Sequence, residues 1–147
     1  MLYLNKTTLL ILLLFTNLIY PQIIKEDIEY RHLKGQLIDE YGRPFPGQTV
    51  IIKGTNIGVS TNFTGNFCLT IPKNKSVFIE LPFCFDQIFR EIKPNDKEIR
   101  LQIGKEKWKN KKAIKKWNKL NTILKTEYIK IYSSEKYKIA QRTITCE

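Results

Sequence analysis

Histidine and cysteine are scarce in this chain of 147 residues: one histidine, His32, and three cysteines, Cys68, Cys84 and Cys146. No C-x-x-C pair occurs, so the ligand sets of structural zinc sites are missing, and neither a metal nor a cofactor is expected. No G-x-S-x-G nucleophile elbow is present. Of the seven glycines, none opens a helix as Gly-Lys-Ser/Thr, which removes phosphate-loop chemistry. Carboxylate pairs occur only as Glu26-Asp27 and Asp39-Glu40, where capping or solvation accounts for them. The expectation is a protein without catalytic residues. One rival survives, a hydrolase using Cys68 or Cys84 with His32, and it requires His32 within a few ångströms of a sulfur.

Long apolar runs are also missing. The leader MLYLNKTTLLILLLFTNLIYPQ has one lysine, then an apolar run from Leu9 to Phe15 that extends weakly to Tyr20. A membrane-spanning helix needs about 20 apolar residues, so the shape is that of a secretory signal peptide over residues 1–22. The junction is expected near Pro21-Gln22, although no Ala-x-Ala marks it; an uncleaved anchor is the alternative. No cysteine follows the run, which argues against a lipoprotein. The chain is therefore read as exported, to the periplasm or the outer membrane.

Turn chemistry organises the residues after the leader. Leu33 to Ile38 is an extended run that ends at Asp39-Glu40-Tyr41-Gly42, an acidic-to-Gly turn. Pro44 and Pro46-Gly47 interrupt any ladder. Thr49, Val50, Ile51 and Ile52 form a β-branched strand. Lys53 to Gly58 is a turn, Val59 to Asn62 a short strand, and Phe63 to Asn66 another turn. Phe67, Leu69 and Ile71 alternate with Cys68 and Thr70, the period of a half-buried strand. Alternation returns at Val77 to Phe85, weakly at Phe89 to Ile92, and again at Ile99 to Ile103. The reading is all-β: about seven strands, mostly antiparallel, in a β-sandwich over residues 23–103.

In this order and spacing, Gly35, Asp39 to Gly42, Pro44, Pro46-Gly47, Val50, Lys53-Gly54-Thr55, Gly58, Thr61, Gly65 and Phe67 resemble the carboxypeptidase regulatory-like domain. That family is a transthyretin-like β-sandwich of exported bacterial proteins, also found at the N-terminus of TonB-dependent receptors. The likeness covers residues 33 to about 103. It departs from the family at Asn62, where Asp is usual, and at Pro82 to Asp86, where a Gly-containing stretch is usual. The resemblance implies a folding, docking or spacer module and no catalysis.

An odd cysteine count in an exported chain allows one disulfide and one thiol. Cys68 shares a strand face with Asn66 and Thr70, so it should face outward. Should the strands of Cys68 and Cys84 form a direct hairpin about residues 72–75, the two would stand too far apart to bond. Free thiols, buried or at the surface, are the ordinary reading.

Acidic residues thin out toward the C-terminus. Residues 23–103 carry eleven Lys+Arg against ten Asp+Glu, whereas residues 104–147 carry thirteen against four. Ala113, Trp117, Leu120 and Leu124 repeat at helical spacing within this basic extension. Lysines 111, 112, 115, 116 and 119 fill much of the remaining circumference. Residues 128–132 suit either a strand or more helix; Ser133-Ser134 suits a break; residues 136–145 suit either form. Three readings compete for the amphipathic helix. Its apolar face packs on the sandwich and the lysines are solvated; or it lies on an anionic lipid surface with lysine stems snorkelling; or it meets an acidic envelope protein or anionic polysaccharide. Nucleic acid fits an exported chain poorly. The expected contact residues are Trp108, Lys112, Lys115, Lys116, Trp117 and Lys119, in a chain that binds or scaffolds at the cell envelope.

Overall fold

A computed structural model describes residues 27–82 and 88–143. The apolar leader, Cys84 and Cys146 lie outside those residues. Among the described residues there are seven strands: β1 Tyr30–Ile38, β2 Thr49–Ile52, β3 Gly58–Ser60, β4 Asn66–Pro72, β5 Val77–Leu81, β6 Ile88–Ile92 and β7 Glu98–Gln102. Two helices come after them, α1 Lys107–Tyr132 and α2 Glu135–Thr143. The strands form two sheets, ordered β4-β1-β7 and β3-β2-β5-β6. Their pairings are antiparallel except that of β1 with β7.

The alternation read from the sequence becomes one buried cluster. Leu33 pairs with Leu69 and Leu37 with Leu101 in the first sheet. Ile52 pairs with Ile79, Val77 with Ile92 and Leu81 with Ile88 in the second. Because neighbours across a ladder share a face, these side chains all turn the same way in their sheets, and both sets belong to the same core. Gly35 leaves room in it. A Cβ there would stand 2.0 Å from Cζ of Phe67, its partner across the ladder, so the ring occupies the space a side chain would need.

The turns are locked by their own side chains. Asp39 Oδ1 accepts from the backbone N–H groups of Tyr41 and Arg43, and its Oδ2 meets Arg43 Nε at 2.7 Å. Asn62 Oδ1 accepts from Thr64 N, Thr64 Oγ1 and Asn66 N, so its amide oxygen makes the bonds that a carboxylate would make there. The turn closes on Gly65, at φ +72° and with Leu37 O only 2.4 Å from where a Cβ would lie. A side chain at that position would meet both backbone strain and backbone atoms. Thr61 Oγ1 donates to Phe45 O and accepts from Gln48 N, tying the two turns together.

Two expectations change. Residues 72–75 do not make a hairpin, because β4 and β5 belong to different sheets; the argument that kept Cys68 from bonding therefore falls. Cys68 is disulfide-bonded, so the free-thiol expectation fails for it. The helix, left open beyond Lys125, runs on to Tyr132. The break at Ser133-Ser134 is present: Ser134 Oγ accepts from Tyr137 N at 3.1 Å and caps α2.

Register places the two ends of the molecule. Gln36 lies beside Asn66 and Ile38 beside Gln102, so the turns at residues 39–47 and 61–65 and the start of α1 share one end. Gln102 Nε2 donates to Glu40 O there, and Gly42, Lys105 and Lys109 line one hollow. Tyr30, Pro72, Tyr132 and Tyr137 gather at the opposite end.

Candidate binding surface

Helix α1 is long, 26 residues or about 39 Å at 1.5 Å per residue, and its two faces have different work. The inner face carries Ala113, Trp117, Tyr128, Ile131 and Tyr132, all buried, with Leu124 packed against them. Trp117 meets Phe78 of β5 at 5.5 Å and Phe89 of β6 at 6.3 Å between ring centroids. Phe78, Phe89 and Glu91 share the outer face of the second sheet, since Phe78 pairs with Glu91 and Glu80 with Phe89. The rings then continue through Tyr128, Tyr132 and Tyr137 to Tyr30, the first residue of β1.

Polar clamps fix the helix along its length. Arg90 Nη1 meets Glu106 Oε2 at 2.5 Å, and Glu106 is buried. Phe89 N donates to Asn110 Oδ1 at 3.0 Å. Lys116 pairs with Glu91, and Lys75 with Glu127 at 2.7 Å. Phe78 N donates to Tyr128 Oη, which donates on to Ser76 O. Burial holds the phenols of Tyr128 and Tyr132 well above the usual tyrosine range and pushes Tyr137 up to about 12. Tyr132 Oη is buried and has no hydrogen-bond partner among the described residues.

The expected contact residues are thus divided. Trp117 is 6% exposed and belongs to the core, so its indole is not available to a partner. Laying the apolar face of the helix on lipid is excluded for the same reason: the sheet already occupies that face. Trp108 is 77% exposed. Lys112, Lys115 and Lys119 are exposed on the outward face and make no ion pair among the described residues, whereas Lys116 is exposed but held by Glu91. Trp108, Lys112, Lys115 and Lys119 succeed each other at spacings of four, three and four, which sets them along one outward stripe. The first turn of α1 has no acidic residue, so Lys107 and Lys109 add to the positive end of the helix dipole.

Sequence reading passed over two exposed aromatics. Tyr41 is 75% exposed and Phe63 96%. Each lies inside a turn that ends in glycine, Asp39 to Gly42 and Asn62 to Gly65. A large apolar residue between turn-forming neighbours is the signal that could have found them.

His32 and Cys68 do come together on the outer face of the first sheet. Cys68 Sγ is 3.5 Å from His32 Nδ1, which also lies 3.4 Å from Thr70 Oγ1. Desolvation lowers the His32 pKa. A disulfide sulfur is no nucleophile, so this pair cannot start the thiolate chemistry that the distance alone would permit. Beside it lies an open cleft of about 580 Å³ lined by residues that include Gln36, Ser60, Asn66, Cys68 and Glu98. Among the described residues no group of three His, Cys, Asp or Glu is placed to hold a metal ion, and no helix is long and apolar enough to cross a membrane. Comparison with protein-family models and with curated proteins finds no match to this chain.

Proposed function

We propose that the chain is an exported, non-catalytic β-sandwich module of the carboxypeptidase regulatory-like kind, acting at the cell envelope by holding an anionic partner against the outward face of α1. The two sheets serve as the halves of the sandwich, and α1 and α2 complete its core. Export rests on the leader; the family reading rests on the turn pattern, whose Asp39, Thr61 and Gly65 all act as turn locks, with Asn62 making the bonds of the usual Asp. The observation that carries the binding reading is the division of α1. Its inner face is fixed by Trp117 and Tyr128, so Lys112, Lys115 and Lys119 are presented outward on a rigid rod rather than on a loose tail. Lysines arrayed in this way attract an acidic surface, and the attraction weakens as salt rises.

The test is salt-dependent retention of the full chain, without its leader, on anionic vesicles and on an anionic polysaccharide matrix. Near an anionic surface each lysine contributes about 1 kcal/mol, so Lys112→Gln/Lys115→Gln/Lys119→Gln should weaken binding roughly a hundredfold. Unchanged retention of the triple variant, or retention that ignores salt, defeats the reading.

A further inference from the structure

Three large aromatic side chains stand bare at the end of the molecule where α1 begins. Tyr41 and Phe63 project from turns that their own neighbours have locked, and Trp108 lies in the first turn of α1. Among the described residues the Tyr41 ring meets the Arg43 guanidinium, 5.1 Å from its centroid, and its hydroxyl hydrogen-bonds to the Glu40 carboxylate, which leaves the ring itself exposed. Three such residues in one region are a coherent feature, whereas single exposed apolar residues are ordinary. Lys105 and Lys109 border the Tyr41 turn, across the hollow that Gly42 lines. Of the nearby acids, Asp39 is paired with Arg43 and Glu106 with Arg90, while Glu40 is exposed beside Tyr41 and is outnumbered by Lys105, Lys107 and Lys109.

From this placement we infer that this end of the molecule docks on an anionic lipid bilayer, with Tyr41, Phe63 and Trp108 seated in the headgroup layer. The inference rests on the proposed anionic partner and names which one it is. Aromatic rings with an apolar body and a polar edge favour the membrane interface. Lysines around them supply attraction to acidic headgroups. An anionic polysaccharide would engage the lysines equally well and can stack a sugar face on a single ring, whereas a bilayer offers an apolar layer to all three rings at once. A flat surface meeting this end also leaves the rest of the α1 stripe pointing sideways, free for the same headgroups or for a second anionic molecule. The rigid turns matter because rings held in place lose little freedom on insertion.

The experiment uses the full chain without its leader, vesicles of mixed neutral and acidic phospholipid, and the same vesicles with brominated acyl chains. Wild-type tryptophan emission should shift to the blue and be quenched by the brominated lipid. Trp108→Phe should abolish both changes, because Trp117 is enclosed in the core. Tyr41→Ser/Phe63→Ser removes two exposed rings and should lower partitioning roughly tenfold or more, from the apolar area kept in water, with the slope against salt preserved. Vesicle binding without quenching, and undiminished in the double variant, overturns the insertion and leaves the lysine stripe as the contact. Retention on polysaccharide without vesicle binding overturns the membrane and keeps the anionic reading. Loss of both overturns the two together. Capture of a purified envelope protein that depends on Phe63, with vesicles unbound, overturns the bilayer as occupant.

Discussion

Replacing Trp117 with alanine should be the most damaging single change on α1. The side chain is 6% exposed and touches the rings of Phe78, Phe89 and Tyr128. Removal of a buried tryptophan costs about 3–5 kcal/mol through lost transfer energy and the cavity left behind. The edge-to-face pairings with Phe78 and Phe89 contribute a further ~0.5–1.5 kcal/mol each beyond area alone, which favours the upper part of that range. A small domain has about 5–15 kcal/mol in total, so the loss is a third of the stability or more and should lower Tm by roughly 10–20 °C. Urea unfolding followed by far-ultraviolet circular dichroism is the suitable assay, since tryptophan emission itself is altered by the change. Trp108→Ala provides the control: at 77% exposed it should shift stability by no more than about 0.5 kcal/mol. Equal effects at the two positions, or a Trp117→Ala cost below about 1 kcal/mol, would show that α1 is appended to the sheet rather than part of the core.

Three further outcomes are expected. The denatured, unreduced protein should show one titratable thiol rather than three, and reduction should lower stability by about 2–4 kcal/mol; three free thiols would remove the Cys68 disulfide. Tyr128→Phe should cost about 1–3 kcal/mol because it strands the Phe78 N–H, whereas Tyr132→Phe should be neutral or stabilising because it deletes a buried hydroxyl without a partner among the described residues; denaturation curves that rank the two the other way would count against both hydrogen-bond assignments. The phenols of Tyr128, Tyr132 and Tyr137 are raised in the folded state, so folded protein holds protons that unfolded chain gives up. Stability should be unaffected by these groups below about pH 10 and fall above it, with tyrosinate absorbance from these residues appearing only as the protein unfolds; early, non-cooperative ionisation of Tyr128, Tyr132 and Tyr137 would contradict this.

Much of the strand pattern was legible because a half-buried strand writes its period directly into the sequence. Leu33, Leu37, Leu69 and Ile71 alternate in the chain and are buried in the fold. The turns were legible for the same local reason: Asp39, Asn62 and Gly65 act on their immediate neighbours. Sheet membership was not, since nothing local tells residues 72–75 whether to return on the same sheet or cross to the other. That single ambiguity misjudged Cys68. The helix was recognisable from Ala113, Trp117 and Leu124, but its period could not say what would cover it. Phe78 and Phe89, which do, alternate as though they faced solvent, and only the packed helix explains their apolar side chains. Trp108 and Trp117 looked equivalent as candidates until the fold assigned one to the surface and the other to the interior.

The line of rings from Phe89 to Tyr30 has a consequence for how the chain is made. Tyr30 Oη donates to Ile131 O, a contact spanning 101 residues, and Tyr137 closes on the Tyr30 ring. Phe78 and Phe89 consequently wait, bare, until α1 has left the ribosome. During that interval the unfinished sheet presents an adhesive patch. A chain built this way requires a guardian for its nascent form or a rapid passage through it, and late truncations should reveal themselves as insolubility.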